Sequence, residues 1–81
     1  MSPPPASDED VAFQILAVFA VHRIPAQGIL RRINFTGVRD GDFRRGMDRA
    51  IANQWVQPHE RDRYRYILTE VGKAALTSHP H

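Results

Sequence analysis

The chain has 81 residues, of which 42% are hydrophobic and none is cysteine, and its formal net charge is +2. This length allows one small domain and excludes two-domain enzymes, dinucleotide-binding folds and barrels. A chain without cysteine also excludes disulfide frameworks, thiolate zinc sites and cysteine nucleophiles. We therefore expect a small cytoplasmic domain that is not an enzyme and binds no cofactor.

The N-terminal segment and the longest apolar run indicate where the folded domain lies. Residues 1–6 include three consecutive prolines and are predicted to form a disordered or polyproline-like lead-in, without the basic region of a signal peptide. The apolar run from Val11 to Val21 contains Gln14 and is too short to span a bilayer. We expect one domain over residues 7–77, a frayed tail over residues 78–81 and no membrane partner.

The first helix is predicted from Asp8 to His22, because Ser7 and Asp10 have the spacing of a capping box and Pro25 follows the apolar run. Apolar residues occupy both faces of this helix. A domain of this size rarely buries both faces of a terminal helix, so we predict that the second face forms a homodimer interface. The residues of that face are Phe13, Ala17, Ala20 and Val21.

A second, shorter helix is predicted from Ala26 to Ile33. It would expose Arg31 and Arg32 and bury the apolar residues around them, which are Ile29, Leu30 and Ile33. Residues 34–38 are predicted to form a turn in which Gly37 adopts a positive φ.

A third helix is predicted from Gly41 to Asn53, with Asp40 as its N-cap. Helical spacing places one apolar stripe on its buried side, formed by Phe43, Met47, Ala50 and Ile51. The opposite side is charged and carries Arg44, Arg45, Asp48 and Arg49.

After the third helix the apolar period changes from 3.6 to 2, which predicts a β-hairpin. Its strands are expected at residues 55–57 and 63–68, joined by a polar turn over residues 58–62. Trp55 is predicted to pack the hairpin against the first helix. Thr69 is predicted to cap a last helix from Glu70 to Leu76.

The order helix, helix, turn, helix, hairpin, helix resembles a winged helix-turn-helix, a mostly helical α+β fold. The segment Phe43 to Val56 resembles the recognition helix of MarR-like and PadR-like transcriptional regulators, and Leu68-Thr69…Gly72…Leu76 resembles the end of their wing and the helix that follows. The resemblance covers residues 8–77. Gln54 stands where that family usually has a glycine in the left-handed conformation, so we expect this helix to end differently.

The resemblance implies a double-stranded DNA-binding protein and a regulator of transcription. The third helix would enter the major groove, with Arg45 and Arg49 reaching bases or phosphates and Arg44 at the rim of the contact. The wing would lie on the DNA backbone, with Arg61 and Arg63 paired to phosphates. Arg31 and Arg32 of the second helix would add further phosphate contacts.

The charge distribution leaves a second interpretation open. Residues 23–81 carry eleven bases and six acids, yet four arginines of residues 39–54 are accompanied by three aspartates. The arginines of the third helix would then form a solvated salt-bridge surface. The alternative function is a winged-helix protein–protein interaction module without DNA binding, which would bind its partner through the apolar face of the first helix or the surface of the third. The histidines do not converge on a metal site by sequence, and we predict no metal site and no catalytic residue.

Overall fold

A computed structural model describes residues 7–78 as three α-helices around a three-stranded antiparallel sheet. The elements are α1 (Asp8–Val21), β1 (Ile29–Arg31), a 3₁₀ turn (Arg32–Asn34), α2 (Asp40–Ala52), β2 (Val56–Pro58), β3 (Arg65–Leu68) and α3 (Glu70–Ser78). The sheet order is β1-β3-β2. The fold is therefore α+β and mostly helical. The lead-in predicted over residues 1–6 and the tail predicted over residues 79–81 lie outside the described residues, while Ser78 belongs to α3.

Helix α1 begins with the predicted capping box. The backbone N–H of Asp10 donates to Ser7 Oγ over 3.1 Å, and the backbone N–H of Ser7 donates to Asp10 Oδ2 over 3.3 Å. These reciprocal bonds satisfy donors that the first helical turn leaves open. One face of the helix is buried in the core, at Val11, Ala12, Ile15, Leu16 and Phe19.

The helix predicted from Ala26 to Ile33 is wrong. Gln27 has a φ of 71°, which ends any right-handed helix at that point, and Gly28 lies against Ile24 and the carbonyl of Pro25 with no room for a Cβ. Residues 29–31 instead form β1, which pairs antiparallel with β3. The expected second helix is reduced to the single 3₁₀ turn that follows.

The strand conformation also changes which apolar residues of this segment are buried. Side chains alternate between the two faces of a strand, and only Leu30 enters the core, with 5% of its surface exposed. Ile29 is 42% exposed and Ile33 is 74% exposed, although a helix would have turned both inward. The prediction that all three are buried is therefore wrong for two of them.

Helix α2 agrees with the predicted third helix to within one residue at each end. Its N-cap is Arg39, which makes no side-chain capping bond, and Asp40 lies within the first turn rather than at the predicted cap position. The predicted stripe is buried except for Ile51, which is half-buried. Gly46 is buried as well. A Cβ at this position would lie only 2.6 Å from Cγ1 of Val11. This glycine allows α1 and α2 to approach closely.

The exit from α2 depends on Gln54. Its φ is 64°, so it adopts the left-handed conformation although it is not a glycine, and the different helix ending that we expected from Gln54 is wrong. The ring of Trp55 then contacts the ring of Phe13 edge-on, with centroids 6.3 Å apart. This contact confirms that Trp55 packs the hairpin region against α1.

Thr69 Oγ accepts the N–H of Gly72 over 3.0 Å, which confirms the predicted cap of α3.

A cluster of four aromatic rings connects the helices to the sheet. Phe35, only 1% exposed, lies at its centre and contacts the rings of Phe19, Phe43 and Tyr66 at centroid distances of 5.7, 5.3 and 6.3 Å. All these pairs are edge-on, the geometry that aromatic quadrupoles favour. The cluster fixes α2 relative to β3, and thereby fixes the surface that lies between them.

Candidate nucleic-acid interface

The exposed side of α2 is charged, as the helical spacing predicts. Arg44, Arg45, Asp48 and Arg49 are all exposed. The three arginines do not have equivalent surroundings, however. Arg44 faces the hairpin, whereas Arg45 and Arg49 face the first turn of α1.

Arg49 is held by an acidic residue of α1. Its Nε donates to Glu9 Oε2 over 2.7 Å, and Nδ2 of Asn53 donates to Glu9 Oε1 over 3.0 Å. These two hydrogen bonds, with that of Arg49 the larger cause, lower the pKa of Glu9 below its ordinary value. Glu9 is therefore ionised at neutral pH and remains an acceptor for Arg49.

Arg45 lies between two acids. Its Nη1 is 3.2 Å from Asp8 Oδ1, and its Nη2 is 3.5 Å from Oδ1 of Asp42, three residues earlier in α2. Both pairs are substantially exposed to solvent, so each contributes little to stability. Their effect is on the charge that α2 presents to solvent, since the two carboxylates offset part of the positive charge of Arg45.

A groove of about 610 Å³ lies between α2 and the hairpin. We call it the α2–hairpin groove. Arg44 lines it from the helix and Arg63 from the hairpin, and no acidic side chain among residues 7–78 lies within ion-pair distance of either. Its apolar lining comes mainly from Phe43, Met47, Ile51 and Tyr66.

The groove also contains acids, so its charge is nearly balanced. Asp40 and Asp48 line it together with the arginines. Burial raises the pKa of the Tyr66 phenol above its ordinary value, so this hydroxyl is neutral at physiological pH. The groove thus combines an apolar interior with charges of both signs at its edges.

Arg32 has a structural role that the sequence did not predict. Its Nη2 lies 2.6 Å from Asp40 Oδ1, its Cζ lies 4.0 Å from the centroid of the Phe43 ring, and its Nη1 donates to the carbonyl of Phe35 over 3.4 Å. These contacts connect the 3₁₀ turn to the beginning of α2. Arg31, by contrast, is exposed on β1 opposite Arg65 of β3.

The hairpin turn is organised by His59, a role that the sequence did not predict. His59 Nδ1 accepts the backbone N–H groups of Arg61 and Asp62 over 3.1 and 3.2 Å. Asp62 Oδ1 in turn accepts the N–H of Tyr64 over 2.9 Å. A polar side chain two to three residues before turn amides is the signal that would have indicated this role. The turn exposes Arg61 and Arg63 to solvent.

The face of α1 that was predicted to form a homodimer interface is only partly exposed to solvent. Phe13 is half-buried because its ring contacts Trp55, so it belongs largely to the domain's own packing. Ala17 is half-buried, Ala20 is exposed and Val21 is 79% exposed. The remaining apolar surface is therefore displaced toward the C-terminal end of α1.

The chain matches no protein-family model, and no match was found among curated proteins or solved structures. None of the helices within residues 7–78 has the length and apolar character needed to cross a membrane. Over the same residues, no group of three or more His, Cys, Asp or Glu side chains is arranged to hold a metal ion.

Proposed function

We propose that the chain is a winged-helix domain that binds double-stranded DNA and regulates transcription, with α2 in the major groove and the β2–β3 hairpin on the adjacent backbone. The observation that carries this proposal is the pair Arg44 and Arg63. They lie on opposite sides of one groove, on the helix and on the hairpin, without acidic partners in the described part of the chain. Guanidinium groups in this position suit phosphate oxygens and guanine edges.

The proposed DNA contacts of the arginines differ from those expected from the sequence. Arg44 contacts a base edge or phosphate from α2, while Arg61 and Arg63 contact phosphates from the hairpin turn. Arg31 adds a phosphate contact from β1. Arg45 and Arg49 contact DNA only after leaving the acids that hold them, and Arg32 is assigned to the domain's own structure. The proposed recognition therefore uses one helix and a hairpin, without a second full helix before α2.

A salt titration of binding to random-sequence duplex DNA tests this proposal. Each phosphate contact contributes about 0.9 to the slope of log affinity against log salt concentration. Arg44→Ala and Arg63→Ala should each weaken binding and reduce this slope, whereas Lys73→Ala on α3 makes the same charge change away from the groove. Equal effects of all three substitutions, or no binding at low salt, would contradict the proposal.

The alternative of a protein-interaction module is supported by the apolar interior of the α2–hairpin groove. Phe43, Met47 and Ile51 line a surface that an apolar side chain of a partner protein would desolvate. Substituting Ile51 by serine, which removes apolar surface without adding a charge beside Arg44 and Arg63, should weaken such binding and leave a phosphate-dominated interaction with DNA much less affected. The salt dependence and this substitution together separate the two functions.

We further propose that the domain forms a homodimer through the apolar end of α1. A second copy related by twofold symmetry would cover Ala20 and Val21, the exposed remainder of the predicted face, together with the half-buried Ala17. Two domains arranged in this way would present two copies of α2 to the two halves of a palindromic DNA site.

A further inference from the structure

Two of the three acids in the first turn of α1, Asp8 and Glu9, contact the proposed DNA-contacting helix. Acidic residues are common at helix N-termini because they interact favourably with the helix dipole, and Asp10 completes the capping box. That role does not require contact with another helix. Glu9 nevertheless reaches Arg49, forty residues away in the sequence, with Nε and Oε2 only 2.7 Å apart.

Both carboxylate oxygens of Glu9 are engaged by α2. Oε2 accepts from Arg49 Nε and lies 3.1 Å from Asn53 Nδ2, while Oε1 lies 3.0 Å from the same nitrogen. One helical turn earlier, Arg45 contacts Asp8 over 3.2 Å. Two of the three exposed arginines of α2 are therefore matched with consecutive acids of α1.

A carboxylate and a phosphate use the same groups of an arginine. Both present oxygen acceptors to the N–H groups of the planar guanidinium, and both form charge-assisted hydrogen bonds there. A phosphate that used Nε of Arg49 would have to displace Glu9. The side chains of Arg49 and Glu9 are 51% and 50% exposed, so water and phosphate have access to the pair and the contact is readily exchanged.

From this geometry, and resting on the proposed DNA-binding function, we infer that Glu9, supported by Asp8, is an internal competitor for the DNA phosphates. It holds Arg49 against α1 and so reduces the affinity of α2 for DNA of any sequence. A phosphate that displaces Glu9 releases the arginine, which then joins the interface.

The test compares Glu9→Gln with Glu70→Gln in binding to a random-sequence duplex. Both substitutions remove one negative charge, but Glu70 lies on α3 and makes no ion pair among residues 7–78. Glu9→Gln should increase the affinity by about two- to fivefold, which is the range for an exposed ion pair. Glu70→Gln should change it by clearly less.

A double substitution identifies the partner. In an Arg49→Ala background, Glu9→Gln should give no gain beyond that of Glu70→Gln, because no guanidinium remains to be released. Circular dichroism melting of each variant checks that it folds. Equal gains from Glu9→Gln and Glu70→Gln, or a gain that persists without Arg49, would overturn the inference and leave the proposed function intact. Absence of duplex binding by every protein would overturn the proposed function and the inference with it.

Discussion

At the scale of single residues, the three arginines of α2 have different partners although they lie within six positions of one another. Arg44 borders the α2–hairpin groove, while Arg45 and Arg49 pair with acids of α1. Helical spacing predicted that all three are exposed, since exposure follows from the period of the apolar stripe. The pairing with Glu9 had no signal in the sequence, because it depends on how two helices pack across forty residues of chain.

The titration of Glu9 reports directly on its pairing with Arg49. The pKa of Glu9 is lowered in the folded state, so the pair contributes stability above the ordinary pKa of glutamate and loses it as the pH falls through the lowered value. Arg49→Ala should raise this pKa toward its ordinary value. Carbon-detected NMR of the Glu9 carboxyl group measures it in both proteins. An unchanged pKa in Arg49→Ala would contradict the pairing.

A second prediction at this scale concerns the strained backbone of Gln54. A non-glycine residue in the left-handed conformation lowers the free energy of unfolding by about 1–2 kcal/mol. Glycine avoids this cost, although its greater freedom in the unfolded chain cancels part of the gain. Gln54→Gly should therefore stabilise the domain by about 0.5–1 kcal/mol. Gly37 has a φ of 84° with open space around it, so Gly37→Ala should destabilise it by a similar amount. Urea unfolding measures both, and a less stable Gln54→Gly variant would be the opposite of what this geometry requires.

At the scale of elements, local patterns were sufficient wherever the element forms mainly from its own residues. Helix α2 and the hairpin follow from helical and alternating periods and were predicted to within a few residues. Strand β1 was not, because three residues become a strand only when β3 is present as a partner. Its apolar residues fit a helix equally well, and the decisive features are the positive φ of Gln27 and the close packing of Gly28.

The contact between α1 and α2 gives a matched pair of glycine substitutions. Gly46→Ala would place a methyl group 2.9 Å from the carbonyl oxygen of Val11, and such overpacking costs about 1–3 kcal/mol. A Cβ at Gly41 of the same helix would meet no atom within 4 Å apart from its own stretch of helix, so Gly41→Ala should instead stabilise by up to about 1 kcal/mol through helix propensity. Thermal and urea unfolding of both variants measure whether the free energy of unfolding falls for Gly46→Ala and rises for Gly41→Ala. Equal effects would show that α1 does not approach α2 at Gly46.

At the scale of the whole molecule, the acidic and basic segments of the sequence lie closer together in the fold than their separation along the chain suggests. Residues 1–22 contain three acids and no lysine or arginine, whereas residues 23–81 have an excess of five positive charges. In the folded chain, Asp8 and Glu9 lie against the arginines of α2 and offset part of that excess. Net charge by segment therefore overestimates the positive surface that a DNA duplex would meet.

The homodimer is tested at this same scale by sedimentation velocity. We expect the wild-type domain to dimerise at about tens of micromolar, the range for a weak interface of this kind. Val21→Glu should give a monomer, because it places a charge on the most exposed apolar residue of the patch. Ile33→Glu makes the same type of change at a residue that is 74% exposed but lies outside α1, and should leave the dimer unaffected. Phe13→Glu is a poorer probe, since it also removes the contact with Trp55. A monomeric wild type would exclude the dimer.

The position of β1 in the sheet has a consequence for how the domain folds. Strands β2 and β3 are neighbours in the chain and close a short loop, whereas β1 reaches β3 only after all of α2 has been placed between them. Closing the longer loop costs more entropy, so we expect the hairpin to form early and β1 to dock late. In native-state hydrogen exchange, the amide of Leu68, which donates to the carbonyl of Gly28 next to β1, should then open at lower free energy than that of Thr69, which donates to the carbonyl of Trp55 next to β2. Because Arg32 follows β1 directly, its contact with Asp40 would be completed in that last step.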